Sequence, residues 1–292
     1  MNSIKIWLFA FRLRTLPLAI ASIALGSFLA GADGAFQWRI ALLAAATAVL
    51  LQILSNLAND YGDALHGADR AGRVGPQRVT QAGLVTKAAM QKALLFFTLL
   101  SLLVGYQLVK GQSVVFYAAG ITAIAAAVGY TVGPRPYAYI GLGDLFVFLF
   151  FGLVGVLGSY YLHTQRLDPL VLLPAAACGL FCVAVLNVNN LRDLESDRRA
   201  GKRTLAVRLG ARNARRYHWA LLAGGWLAAV GYALVAFERP QQFAFLLLTP
   251  LLVRHGLQVQ RAADAAALEP GLKQMALFTL LFSLVFGAGA LL

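Results

Sequence analysis

Half of the chain's acidic residues sit in two polar stretches, and each stretch follows a long apolar run. The first, QILSNLANDYGDALHGADR (52–70), carries Asn56, Asn59, Asp60, Asp63 and Asp69. The second, LNVNNLRDLESDRRAGKRTLAVRLG (186–210), carries Asn189, Asn190, Asp193 and Asp197. Asn56 and Asp60 recur as Asn189 and Asp193 at the same offset of 133 residues, and another acid follows one turn later in each copy, Asp63 and Asp197. This reads as an internal pseudo-repeat of a helix unit. Residues three or four apart share a helix face, so Asn56, Asp60 and Asp63 are predicted to converge, as are Asn189 or Asn190, Asp193 and Asp197. Clustered carboxylates beside a membrane need a cation between them. Carboxylate and amide oxygens suit a hard divalent ion, and Mg²⁺ is commonly held by a few carboxylates together with substrate phosphates. Two facing clusters therefore predict a Mg²⁺-bridged phosphate-ester site. Arg78, Lys202 and Arg203, embedded in the same stretches, are candidate diphosphate contacts. The remaining basic residues nearby are expected to act as topological anchors.

The elements that position these residues are legible in the composition. The chain has 292 residues, 60% of them hydrophobic and only 13% charged, with a mean hydropathy of +0.71. That balance points to a membrane protein. Nine charge-poor runs stand out: 15–32, 40–59, 93–109, 111–134, 145–165, 169–191, 217–237, 240–253 and 274–292. A helix needs about 20 apolar residues to cross the hydrocarbon core, and all but the short, Pro250-interrupted run 240–253 come close to that length. The expectation is an all-α polytopic membrane protein, a single domain over 1–292 with nine spans. No cleavable leader pattern is apparent. Residues 1–14, with Ile4, Trp7, Leu8 and Phe11 at helical spacing, predict an interfacial amphipathic segment.

The net charge of +13 could suggest a nucleic-acid partner, but the basic residues line one membrane face instead. With the N-terminus inside, 21 of the 25 Lys and Arg fall on the cytoplasmic side, leaving Arg39, Lys110, Arg166 and Arg239 opposite. This predicts a cytoplasmic N-terminus and a periplasmic C-terminus, with both Asp stretches on the cytoplasmic side. Cys178 and Cys182 are expected to be small packing residues. His163, His218 and His255 are expected at span ends, and His66 beside the first cluster.

NLANDYGDALHGAD (56–69) and NVNNLRDLESDRRAGKRTLAVRLG (187–210) closely resemble the two Asp-rich motifs of the UbiA-type intramembrane prenyltransferases. RLRTLPLA (12–19) and YTVGPRPYAYIGLGD (130–144) resemble the branch that acts on 1,4-dihydroxy-2-naphthoate, and the resemblance runs from Arg14 to the last span. One departure is visible. Where the superfamily's first motif carries a third Asp, this chain has Gly67, and the next acid is Asp69.

The resemblance implies helices around a central cavity open to lipid, capped on the cytoplasmic side by the two Asp loops. It implies transfer of a polyprenyl group from an isoprenyl diphosphate to 1,4-dihydroxy-2-naphthoate in the bacterial inner membrane, giving demethylmenaquinol, CO₂ and diphosphate. Asp60, Asp63, Asp193 and Asp197, with Asp69 as a possible replacement ligand, would hold Mg²⁺. Asn56, Asn59, Asn189 and Asn190 would complete the oxygen shell around the diphosphate. Tyr130, Tyr137 and Tyr139 could face an allylic cation by cation–π contact, or form an aromatic belt at the interface. Asp144 could deprotonate or orient an acceptor hydroxyl, or pair with Arg135. Arg14 or Arg135 could hold the acceptor's carboxylate. Three alternatives compete with this reading: another acceptor such as 4-hydroxybenzoate or haem, an ion-coupled transporter, and a membrane scaffold. A transporter should carry acids near the bilayer midplane, whereas these lie at helix ends. A scaffold leaves the doubled pattern unexplained.

Overall fold

The computed structural model describes residues 2–65, 78–134 and 136–292, so His66, Asp69 and Arg135 lie outside the described residues. Every regular element among the described residues is helical. In chain order they are α1 (Ser3–Phe11), α2 (Leu16–Ala32), α3 (Trp38–Leu65), α4 (Lys87–Val109), α5 (Val114–Gly129), α6 (Gly143–Thr164), α7 (Leu172–Arg192), α8 (Leu194–Arg199), α9 (Leu205–Val235), α10 (Thr249–Arg261) and α11 (Ala265–Leu291).

Among the described residues, seven helical stretches are long and apolar enough to cross a membrane: Ser3–Ala32, Trp38–Leu65, Lys87–Val109, Gly143–Thr164, Pro169–Arg192, Leu205–Val235 and Ala265–Leu291. This is an all-helical, multi-pass membrane protein. The two remaining expected spans differ from the long type. The run 111–134 forms the shorter α5, because Gly129 is followed by a turn at Thr131–Pro134. The run 240–253 begins as a 3-10 helix, Pro240–Leu248, and passes into α10 at Pro250. The N-terminal segment forms its own helix, as expected. It stops at Arg12, whose backbone lies in the left-handed region (φ 50°) and turns the chain into α2.

Local chemistry sets the boundaries. Thr86, Thr204 and Asp264 accept the backbone N–H three residues on and start α4, α9 and α11. Gly210 (φ 73°, ψ 162°) breaks α9 just after the second Asp stretch. α6 is π-helical over Phe148–Leu157, where Gly152 packs directly on Gly179 of α7.

The main core surrounds α7, which is buried between α9, α11, α2 and the π segment. Phe181, Trp226, Phe245, Phe278, Phe282 and Phe286 form its aromatic centre, with ring centroids 4.9–6.5 Å apart. Cys178 and Cys182 are buried within this core, as expected of packing residues. A smaller cluster, including Ala10, Ile53, Leu57 and Met90, packs α1 and α4 against α3.

The two ends of the bundle differ. At one end Asp33 meets Arg166 (2.8 Å) and Tyr160, while His163 accepts from the Gln37 backbone N–H (3.1 Å) and contacts Ser27. The end of α3, the turn after α5 and the segment after α7 meet at the other.

Candidate active site

The α3 helix carries the first motif, and its acids take different partners despite sharing one face. Asn56 donates to the Phe11 carbonyl (2.9 Å) and Thr15 hydroxyl (3.0 Å), tying the N-terminal turn to α3. Both oxygens of Asp60 accept backbone N–H groups, from Val79 (2.9 Å) and Thr80 (3.0 Å), which fastens the segment leading into α4. Asp63 is fully buried. It accepts from Arg78 (2.5 Å), the Tyr139 hydroxyl (2.8 Å) and Lys202 (2.9 Å). The predicted convergence of Asn56, Asp60 and Asp63 is therefore corrected. The helix aligns them, but packing against three neighbouring segments separates their tasks.

Lys202 connects the motifs. Its ammonium lies 2.9 Å from Asp63 Oδ1, 3.7 Å from Asp197 Oδ1 and 4.7 Å from the centre of the Tyr139 ring. Charge attraction and the aromatic face hold this cation between two acids 134 residues apart in the chain. The second motif splits as the first does. Asp193 is bound by the guanidinium of its neighbour Arg192 (2.7 and 2.8 Å), and Asp197 turns toward Lys202. Asn190 is buried, and Asn59 and Asn189 are half-buried. The Arg203 side chain is exposed, while its backbone N–H donates to the Tyr139 carbonyl (2.8 Å).

The 137–141 turn locks this arrangement. Arg208 donates to the Ile140 carbonyl (2.6 Å) and to the Arg203 carbonyl (3.2 Å). Gly141 needs its positive φ of 77° here, and a Cβ would stand 2.8 Å from the Arg203 carbonyl. Behind the turn, Tyr137 donates to the Ala126 carbonyl (2.8 Å) and stacks on Phe146 (4.1 Å). Burial pushes its phenol above the ordinary tyrosine range, so it stays a neutral donor. Tyr130 lies edge-on to Tyr137 (5.2 Å) and beside Gly143, next to buried Asp144. Asp144 accepts from Tyr217 of α9 (3.3 Å). Arg14 is ion-paired with Glu269. Tyr217 and Glu269 carried no motif-like signal in the sequence, and only the fold brings them beside the predicted residues. Arg192 stands next to Asp193 within the second motif, but its pairing with Glu269 depends on the fold.

Among the described residues, no three acidic, imidazole or thiol side chains already converge on one metal position. The donor set still fits Mg²⁺. Asp63 and Asp197 present carboxylate oxygens to one cationic position, and a diphosphate would supply the remaining oxygen ligands. A cavity of about 490 Å³ opens elsewhere, along the outer face of α10, and no motif residue lines it.

Tyr139→Phe removes one of the donors to Asp63 while keeping the ring under Lys202. Turnover should fall by roughly 5–20-fold, the equivalent of one hydrogen bond to a charged group. Unchanged turnover in a membrane assay would separate the Tyr139 hydroxyl from the chemistry.

The chain matches known proteins in sequence and in fold. The UbiA prenyltransferase family profile matches residues 19–281. The chain is 48% identical over 292 residues to the 1,4-dihydroxy-2-naphthoate octaprenyltransferase of Escherichia coli K12, covering 98% of this chain and 95% of that protein. It is 42% identical to the protein of the same name in Haemophilus influenzae, covering 100% and 97%. Two solved structures share the fold: an apo UbiA homolog from Aeropyrum pernix K1 (TM-score 0.67, 18% identity, 95% and 97% covered) and one from Archaeoglobus fulgidus bound to DMAPP and Mg²⁺ (TM-score 0.62, 17% identity, 96% and 98% covered). Paired aspartates at one end of a helical bundle, full-length relatives and a shared fold agree: the chain belongs to the UbiA prenyltransferase family.

Proposed function

We propose that this protein transfers a polyprenyl group from an isoprenyl diphosphate to 1,4-dihydroxy-2-naphthoate, releasing diphosphate and CO₂ and giving demethylmenaquinol for menaquinone biosynthesis. The structural observation that carries the reading is the meeting of Asp63 and Asp197 across Lys202. The acceptor is supported by full-length relatives named for that reaction at 39–48% identity. The setting is the bacterial inner membrane, with the motif end cytoplasmic and the C-terminus periplasmic, as the basic-residue asymmetry supports.

Asp63 and Asp197 would hold Mg²⁺, joined by Asp69 and, on exchange of their amide and guanidinium partners for the ion, by Asp60 and Asp193, with Asn59, Asn189 and Asn190 beside them. Bound there, the ion supplies positive charge against the leaving diphosphate. Arg78, Lys202 and Arg203 bind diphosphate oxygens as charge develops on them. The allylic C–O bond breaks with its electron pair going to the diphosphate, and a ring carbon of the acceptor supplies the pair for the new C–C bond. With attack at the carboxyl-bearing carbon, departure of CO₂ returns a pair to the ring, and the balance closes without a separate proton acceptor. Asp144, held by Tyr217, then needs only to orient an acceptor hydroxyl. Tyr130 and Tyr139 offer ring faces to the allylic cation. Burial of the prenyl tail in the membrane contributes about 0.8 kcal/mol per CH₂ to holding the reactive end.

Membranes containing the protein, given prenyl diphosphate and Mg²⁺ with either 1,4-dihydroxy-2-naphthoate or 4-hydroxybenzoate, should yield a prenylated, decarboxylated naphthoquinol by mass spectrometry. EDTA should abolish the product and added Mg²⁺ restore it. Product from hydroxybenzoate alone would overturn the acceptor, and product insensitive to EDTA would overturn the metal.

A further inference from the structure

Arg192 is the hub of the second motif. Its side chain is 1% exposed, and its Nε and Nη2 donate to the two oxygens of Asp193 at 2.8 and 2.7 Å. Nη2 also reaches Asn189 Oδ1 at 2.9 Å, and Nη1 donates to Glu269 Oε2 at 2.5 Å. The other oxygen of Glu269 takes Arg14. Four charges, two of each sign, therefore form a continuous line: Asp193, Arg192, Glu269, Arg14. The line does not end there. Thr15, next in the chain after Arg14, accepts hydrogen bonds from Asn56 (3.0 Å) and Gln52 (3.3 Å) of α3. Among the described residues the two motifs are thus joined across Lys202 and also by this strut through the start of α11.

Glu269 is the acid of the strut that belongs to neither motif. Asp264 caps α11, and Glu269 follows just before Pro270, so its position is set by the helix start. It is about a third exposed, whereas Arg192 and Asp193 are buried. Its carboxylate contacts two guanidiniums at once, one with each oxygen. Without it, Arg14 and Arg192 would face each other with Asp193 as the remaining carboxylate of the line, and Arg192 would keep only Asp193 and the Asn189 amide oxygen among its described partners. An acid claimed wholly by a buried guanidinium is a poor ligand for a second cation.

We propose that Glu269 is a positioning residue for the second motif. Through Arg192 it sets the orientation of Asp193, and through Arg14 it ties that motif to the first. This rests on the reading of Asp193 as a Mg²⁺ ligand.

The test uses the full-length protein in detergent with inorganic diphosphate as the probe. It reads the Mg²⁺ concentration that gives half of the Mg²⁺-dependent thermal stabilisation, for the wild type, Glu269→Gln and Glu269→Asp. Glu269→Gln should raise that concentration about tenfold, the size of a typical charge-network coupling. Glu269→Asp, which keeps the charge on a shorter stem, should stay within about threefold of the wild type. In the prenylation assay the KM for the acceptor should be unchanged while the Mg²⁺ requirement shifts in parallel. If Glu269→Gln lowers thermal stability equally with and without Mg²⁺ and leaves the half-point where it was, Glu269 is only a structural link and the proposal is overturned. Should the wild type itself show no Mg²⁺-dependent stabilisation, the metal reading falls, and this assignment with it.

Discussion

Asp63→Asn should lower formation of the prenylated naphthoquinol by about 10³-fold in membranes holding matched amounts of folded protein. The substitution preserves shape and keeps an acceptor for Tyr139, but removes the negative charge that Arg78 and Lys202 both contact. Those two cations lose their shared buried counter-ion, and the site loses the first-motif acid that shares Lys202 with Asp197. Breaking a buried ion pair costs about 3–5 kcal/mol, so the melting temperature should fall as well. Size-exclusion profiles and thermal unfolding in detergent would separate the two effects. A variant that remains folded and keeps more than a tenth of wild-type product would remove Asp63 from the diphosphate site.

Gly62→Ala should be the most damaging single methyl group in the motif. A Cβ there would lie 2.4 Å from the Thr131 carbonyl oxygen and 2.6 Å from its carbon, and that backbone is held in turn by the Thr131 hydroxyl on the Ala58 carbonyl (2.9 Å). Neither side can yield by a rotamer change, so α3 must move away from the segment after α5. A loss of about 3 kcal/mol is expected, at the upper end for overpacking, with activity falling further because Asp63 is the next residue. Gly120→Ala, where no atom lies within 4 Å, is the control and should be neutral or slightly stabilising. An unaltered melting temperature for Gly62→Ala would mean that the close approach of these segments is not needed for the fold.

The contrast between Asp60 and Asp63 shows where reading from spacing stops. Both acids were visible, and so was their shared helix face. Which one meets the second motif was not, because Asp60 is claimed by the Val79 and Thr80 amides of a segment whose path depends on the whole bundle. The same holds for Asp144, whose described partner is Tyr217 on a helix beyond the second motif. Arg14 could be singled out as a cation near the site, but its carboxylate partner, Glu269, lies 255 residues away.

By itself the sequence determined the membrane class, most of the span boundaries, the two Asp motifs at helix ends and the residue types offered there. These follow from local quantities: hydropathy over about 20 residues, helical periodicity and charge asymmetry. Tertiary structure decided which acid faces which cation, that Lys202 bridges the motifs, and that Arg192 and Glu269 form a second link behind them. Such pairings depend on contacts between residues far apart in the chain, and a buried charge takes its partner from whatever the packing of the helices leaves within reach.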